Sequence, residues 1–187
     1  MINKIFLIIV IIYNIFIFYI TLSLAKEIVI KNDSENFYNI RNIFAENQND
    51  GQLILNFIDD YYDFSILCHD KSYDINIDVA SNITFNGNIN GTVFDNNKSR
   101  NGKIILNFYK NNGNVVKFQN ITFQNYYEDI NVFGVPMIIV FAKTDNFLVK
   151  IENCNFINNF YPLLYLDVSY NIETNKEPFY IVDNCNF

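Results

Sequence analysis

Tryptophan is absent, histidine occurs only at His69, and arginine occurs only at Arg41 and Arg100. These scarcities exclude much active-site chemistry. One histidine cannot build a multi-histidine metal centre, and no paired Cys and His stand at zinc spacing. Cysteine is limited to Cys68, Cys154 and Cys185. An odd, small number in an exported chain leaves a thiol unpaired and rules out a disulfide-dense scaffold. Basic residues are also in short supply: 13 Lys and Arg face 20 Asp and Glu, for a formal net charge of −7. A nucleic acid or an anionic membrane needs a basic surface, so neither is expected as a partner. No cofactor is expected.

Long apolar runs are missing as well, with one exception at the start. Met1 to Lys4 is short and polar, Ile5 to Ile20 is almost wholly apolar, and Ser23 and Ala25 supply small residues before Lys26. This order is that of a secretory signal peptide over residues 1–25. An uncleaved N-terminal membrane anchor is the alternative, because the run is about long enough to cross a bilayer. Either way, residues 26–187 are expected outside the cytosol, as a secreted or cell-surface domain. Their size fits one domain.

What the chain has in excess is asparagine, with isoleucine, phenylalanine and tyrosine. An AT-rich coding bias accounts for the bulk of it, but not for where particular asparagines recur. The endings SNITF, QNITF, ENCNF and DNCNF place Asn82, Asn120, Asn153 and Asn184 three residues before Phe85, Phe123, Phe156 and Phe187. The phenylalanines are separated by 38, 33 and 31 residues. Other segments pair off in the same way. LILNF (53–57) matches IILNF (104–108), followed by MIIVFA (137–142) and LLYLDV (163–168). INIDV (75–79) matches VVKF (115–118), LVKI (148–151) and FYIV (179–182).

Each unit thus reads as three short, alternating, β-branched and aromatic strands joined by polar links. A strand triplet repeated at this interval predicts an all-β fold, a right-handed parallel β-helix of about four coils. The repeated Asn is expected at a sharp bend, where it tolerates the left-handed conformation. Stacked in register, Asn82, Asn120, Asn153 and Asn184 are expected to form a hydrogen-bonded ladder. Phe85, Phe123, Phe156 and Phe187 are expected to form a core ladder, with Ile83, Ile121, Cys154 and Cys185 beside it. Each buried Phe contributes about 1.5–3 kcal/mol. Over residues 33–47 a capping helix is expected, with Asp33 or Ser34 at its start and Phe37, Ile40 and Phe44 on one face. No such cap is legible at the other end, where Phe187 is a ladder residue. The chain therefore reads as the N-terminal part of a longer solenoid, whose open C-terminal edge takes further coils or a second copy.

VVKFQNITFQN, LVKIENCNFIN and YIVDNCNF resemble coils of the right-handed parallel β-helix group, the pectate-lyase-like superfamily. More narrowly, they resemble secreted or surface β-helix proteins with N-C-x-F turns. The resemblance implies a structural or adhesive module that binds polysaccharide or another surface protein. It does not bring catalytic residues: there is no G-H-G, no R-I-K, and the only adjacent Asp pair is Asp59-Asp60. One adjacent pair cannot oppose itself across a groove as glycoside hydrolysis requires. No catalytic residue and no metal site is assigned. An enzyme acting on polysaccharide, with its site in coils beyond these, is the alternative.

Smaller candidates remain. Cys154 and Cys185 fall one coil apart, close enough for a disulfide, or for two stacked buried thiols. Cys68 beside His69 reads as a loop cysteine. Of five N-x-S/T sequons, Asn90 and Asn97 lie in a polar loop and are the candidate glycosylation sites, with Asn32 third. Asn82 and Asn120 are expected to be hydrogen-bonded instead. Tyr61-Tyr62, Tyr126-Tyr127, Tyr161, Tyr165 and Tyr170 could stack on sugar rings or pack ordinary loops.

Overall fold

The computed structural model describes residues 25–48, 51–67, 74–99, 101–126, 135–160, 162–169 and 179–187. Their strands are β1 (Lys26–Ile30), β2 (Gln52–Phe57), β3 (Tyr61–Asp63), β4 (Asp74–Asp78), β5 (Asn82–Gly87), β6 (Thr92–Ser99), β7 (Lys103–Phe108), β8 (Asn114–Gln119), β9 (Ile121–Tyr126), β10 (Ile138–Ala142), β11 (Phe147–Glu152), β12 (Asn155–Ile157), β13 (Leu164–Val168) and β14 (Tyr180–Asp183). They assemble into three sheets, ordered β1-β2-β5-β8-β11-β14, β3-β6-β9-β12 and β4-β7-β10-β13. We call these sheets I, II and III, in the order the chain visits them. Every named strand pairing is parallel. The chain is a right-handed parallel β-helix of about four turns, with an apolar core enclosed by three sheets.

Alternation drives the coiling. In β8 every second residue, Asn114, Val116 and Phe118, is buried, while Val115, Lys117 and Gln119 face outward. One strand can bury only one face, and its apolar row finds cover only when the chain turns twice more and closes the coil. The core rows run along the axis. Leu55, Phe85, Phe118 and Ile151 are successive partners in sheet I. Tyr62, Phe94, Phe123 and Phe156 are successive partners in sheet II. Ile77, Leu106, Val140 and Leu166 do the same in sheet III. Rings meet along these rows: Phe85 and Phe118 stack at 4.5 Å, Phe123 and Phe156 at 5.3 Å, and Phe156 and Phe187 at 5.0 Å.

All three expected ladders need correction in the first coil, where Ile83 pairs with Val116 and the sheet II partner of Ile121 is Thr92. Phe85 pairs with Phe118, not Phe123, so SNITF lies in sheet I and QNITF in sheet II. The sheet II neighbour of Phe123 is Phe94, in GTVFD. LILNF likewise belongs to sheet I beside β5, whereas IILNF belongs to sheet III beside INIDV. The first unit was one strand out of phase, and β3 and β6 were not read as strands. The physical reason is degeneracy: an outward Asn followed by inward, outward, inward reads alike in any of the three sheets. The 38-residue gap was the symptom, since true coil steps are 29, 33 and 31 residues.

The bend from sheet I to sheet II follows the same logic. Asn120, Asn153 and Asn184 have φ of 58°, 52° and 50°, in the left-handed region. Asn82 does not belong with them: it lies in β5, and its side-chain oxygen accepts from the Val115 N–H at 2.8 Å. The corresponding position in that coil is Gly91, with φ 93°, just before Thr92, the partner of Ile121. Gly87 is required for a different reason. A Cβ there would lie 2.2 Å from the Asn120 carbonyl oxygen.

The single helix expected over 33–47 is two, α1 (Glu35–Tyr38) and α2 (Ile40–Asn47). Asn39 breaks them, with φ −100° and ψ 22°. Ser34 caps α1, its hydroxyl accepting from the Phe37 N–H at 3.2 Å. Phe37 meets Tyr62 and Phe64, and Phe44 meets Phe85, so both helices deliver rings to the first coil's core. The apolar leader lies outside the described residues, as do Cys68 and His69. Among the described residues no helix is long and apolar enough to cross a membrane.

Candidate functional site

The bend from sheet II to sheet III carries a second run of left-handed asparagines. Asn125 and Asn158, one coil apart, have φ of 56° and 53°. The preceding coil widens here. Between Asp95 and Ser99 the register of β6 against β9 shifts, and Asn97 and Lys98 take φ of 49° and 57°. A left-handed Lys costs backbone energy that Asn pays less of, and such positions persist where surrounding structure holds them.

Asp95 is the holding group. It is buried. Its carboxylate accepts from the Asn97 N–H at 2.7 Å, the Gln124 amide at 2.7 Å and the Asn125 amide at 3.0 Å. Burial pushes its pKa up, but the bonds from Asn125, Asn97, Gln124 and the Tyr61 hydroxyl outweigh it and hold the carboxyl below its ordinary value. Asn159 performs the same service one coil on: it accepts from the Tyr126 N–H at 3.0 Å and donates to the Phe123 carbonyl at 2.9 Å.

Together these turns form a cleft of about 590 Å³ lined by Lys98, Asn125, Asn158, Asn159 and Phe160. Phe160 is 61% exposed. A partly exposed phenylalanine, several amides and one ammonium are groups that can contact a hydroxylated, weakly polar ring. Amides donate and accept at once, as sugar hydroxyls do, and a ring face covers the C–H side of a pyranose.

The expected sites distribute as follows. Asn184 donates to the Asn153 side-chain oxygen at 2.6 Å. Cys154 and Cys185 are free thiols. Cys154 is fully buried, and burial raises its pKa to about 12. Asn90 and Asn97 are exposed, while Asn32 is partly covered and its side chain accepts from the Asp33 N–H at 3.1 Å. Thr92, the hydroxyl residue of the Asn90 sequon, is fully buried and donates toward the Phe57 and Asp59 carbonyls. Asp59 and Asp60 serve as turn acceptors, for the Asn32 N–H at 2.6 Å and the Asn88 amide at 2.8 Å. Tyr62 and Tyr126 are core residues, with hydroxyls on the Ile30 and Val135 carbonyls. Tyr165 is half exposed on the outer face of sheet III, beside its register partner Ile139. Tyr127, Tyr161, Tyr170 and Arg100 lie outside the described residues.

The Asn125–Asn158 bend was not read from the sequence, although the signal was there. VVKFQNITFQN and LVKIENCNFIN both close on an asparagine, and the repeat of that last letter marks a second bend. Lys98 and Phe160 have no such repeat to betray them. No protein-family model, curated protein or solved structure matches the chain.

Proposed function

We propose that this chain is a non-catalytic, secreted or cell-surface β-helix module of the pectate-lyase-like kind that adheres to polysaccharide. The carrying observation is the cleft of Lys98, Asn125, Asn158, Asn159 and Phe160, which sets an exposed phenylalanine beside amides, Asn125 held by Asp95 and Asn159 by Tyr126 and Phe123. Three further features support the reading. The apolar leader has the order of an export signal. The one adjacent Asp pair, Asp59-Asp60, is committed to holding turns. The rigid stack places successive coils about 4.8 Å apart, comparable to one sugar residue of an extended glycan.

The test is retention of the full chain on insoluble cellulose, xylan and pectin, with a parallel assay for unsaturated or reducing-end products. Retention that falls at least tenfold with Phe160→Ala, and without products, supports an adhesive module. Product formation overturns it in favour of an enzyme. Failure to bind any of the three, or retention indifferent to Phe160→Ala, removes the cleft from consideration.

A further inference from the structure

Four glycines of this chain follow an asparagine, in Asn86-Gly87, Asn90-Gly91, Asn101-Gly102 and Asn112-Gly113. This dipeptide carries its own chemistry. The glycine nitrogen can attack the side-chain carbonyl carbon of the asparagine before it, and with no Cβ on glycine nothing crowds the approach. The attack needs an asparagine amide free of partners, a glycine N–H that can leave its own, and room for a five-membered ring. The coil denies these conditions to three of the pairs and grants them to one.

Asn86 is locked in β5. Its amide donates to Asn56 at 2.7 Å, its oxygen accepts from Gln119 at 2.6 Å, and Gly87 is buried against the Asn120 carbonyl. Asn101 is held as firmly. Its amide donates to the Ser65 carbonyl at 3.0 Å, its N–H to the Ser99 hydroxyl at 3.0 Å, and its carbonyl accepts from the Asn96 amide at 2.6 Å. Asn90 is exposed, but its turn is closed at both nitrogens. The Asn90 N–H donates to the Asn88 side chain at 2.8 Å, and the Gly91 N–H to the Asn88 carbonyl at 2.9 Å. Asn88 donates to Asp60 at 2.8 Å, which pins this turn to the coil before it. Asn112 differs. Tyr109 to Asn112 are all exposed and lie outside any helix or strand. Among the described residues no group hydrogen-bonds the Asn112 side chain. The Gly113 N–H donates to the Asn146 carbonyl at 3.2 Å, the long end of the usual range.

We propose that Asn112-Gly113 is a self-modification site, at which the folded chain deamidates to aspartate and isoaspartate. The Gly113 nitrogen gives up its proton and bonds to Asn112 Cγ. The Cγ–Nδ2 bond breaks and ammonia leaves. Water then opens the cyclic imide at either of its two carbonyls. The net change is amide and water to carboxylate and ammonium, with no oxidant, reductant or enzyme. Each event adds a negative charge to a chain whose formal charge is already −7. The isoaspartyl product also lengthens the main chain by one carbon just before β8, where Gly113 reaches Asn146 and the Asn114 amide reaches the Val79 carbonyl at 3.3 Å. The reaction is a clock that loosens this bend as the chain ages. It is independent of the polysaccharide reading.

The experiment incubates the full chain at mildly alkaline pH, digests it with trypsin and reads each asparagine by tandem mass spectrometry. Conversion appears as a gain of one dalton, and isoaspartate is confirmed with an isoaspartyl-specific carboxyl methyltransferase. In the folded chain Asn112 is expected to convert at least tenfold faster than Asn86 or Asn101, and ahead of Asn90. In a chain unfolded by urea the four are expected to converge, because the dipeptide is the same and only the fold sets them apart. Asn112→Gln should abolish the gain at that position and leave the melting temperature unchanged, since the side chain has no partner to lose. The proposal is overturned if Asn112 stays intact in the folded chain while it converts in the unfolded one. It is also overturned if Asn86, Asn90 or Asn101 leads, or if all four convert alike in both states.

Discussion

The phase of the coils can be tested with three phenylalanines. Phe85 stacks on Phe118 at 4.5 Å with an interplanar angle of 23°. Phe118 meets Phe123 edge-on at 5.9 Å, and Phe123 belongs to sheet II beside Phe94. A Phe to Ala change at such sites costs about 3–5 kcal/mol, a large part of a domain's total of about 5–15 kcal/mol. Phe→Leu is the gentler probe: it removes the ring contact and keeps most of the volume. Aromatic pairs are worth about 0.5–1.5 kcal/mol beyond the area they bury. A double-mutant cycle on Phe85→Leu and Phe118→Leu should therefore show coupling of about that size, measured by urea denaturation. The cycle on Phe85→Leu and Phe123→Leu, which share Phe118 as a neighbour but are not register partners, should show a smaller coupling. The opposite pattern would restore the equivalence of SNITF with QNITF and refute the three-sheet register.

Four other outcomes follow from the same geometry. Gly87→Ala should destabilise by about 1–3 kcal/mol or more, since its new methyl meets the Asn120 carbonyl and backbone cannot yield as a side-chain tip does; thermal melting reads it. Asn153→Ala should cost about 1–2 kcal/mol, because Ala keeps the Cβ but loses the polar group that lets Asn tolerate the left-handed region, and Asn153→Gly distinctly less, compared by denaturant midpoint. Cys154 should resist a soluble thiol reagent at neutral pH unless the chain is unfolded, because burial shields the thiol and pushes its pKa up, and Cys185 should react before Cys154. Asp95 has a depressed folded pKa, so its contribution is fully present above the ordinary unfolded value of about 3.9 and is lost as pH falls through the folded one; Asp95→Asn should flatten stability below about pH 4, seen in acid titrations of the melting temperature.

The fold class was legible because the repeat constrains it. A triplet of alternating strands at a near-constant interval leaves few architectures, and the last three coils were read in phase. The first coil was not, because hydrophobic alternation says which face is inward but not which sheet a strand joins. β3 is only Tyr61–Asp63, and β6 breaks its own alternation at the bulge after Asp95. Both were too short or too irregular for a periodicity argument. The break at Asn39 was illegible for a similar reason: α1 and α2 share one apolar face across it. The cleft was half legible. Its asparagines repeat, whereas Lys98 and Phe160 come together only when adjacent coils stack.

Asparagine enrichment has two separable causes, and position tells them apart. A coding bias scatters Asn without regard to backbone. It cannot explain why, among the described residues, the non-glycine positions with positive φ are all Asn apart from Asp33 and Lys98. Nor can it explain why outward rows such as Asn56, Asn86 and Gln119 carry amides one above another. A parallel stack needs both uses. Each tight bend needs a left-handed residue, and each outward row needs a group that can accept from one neighbour while donating to the other. Asn meets both demands, where Gly meets only the first and Gln only the second.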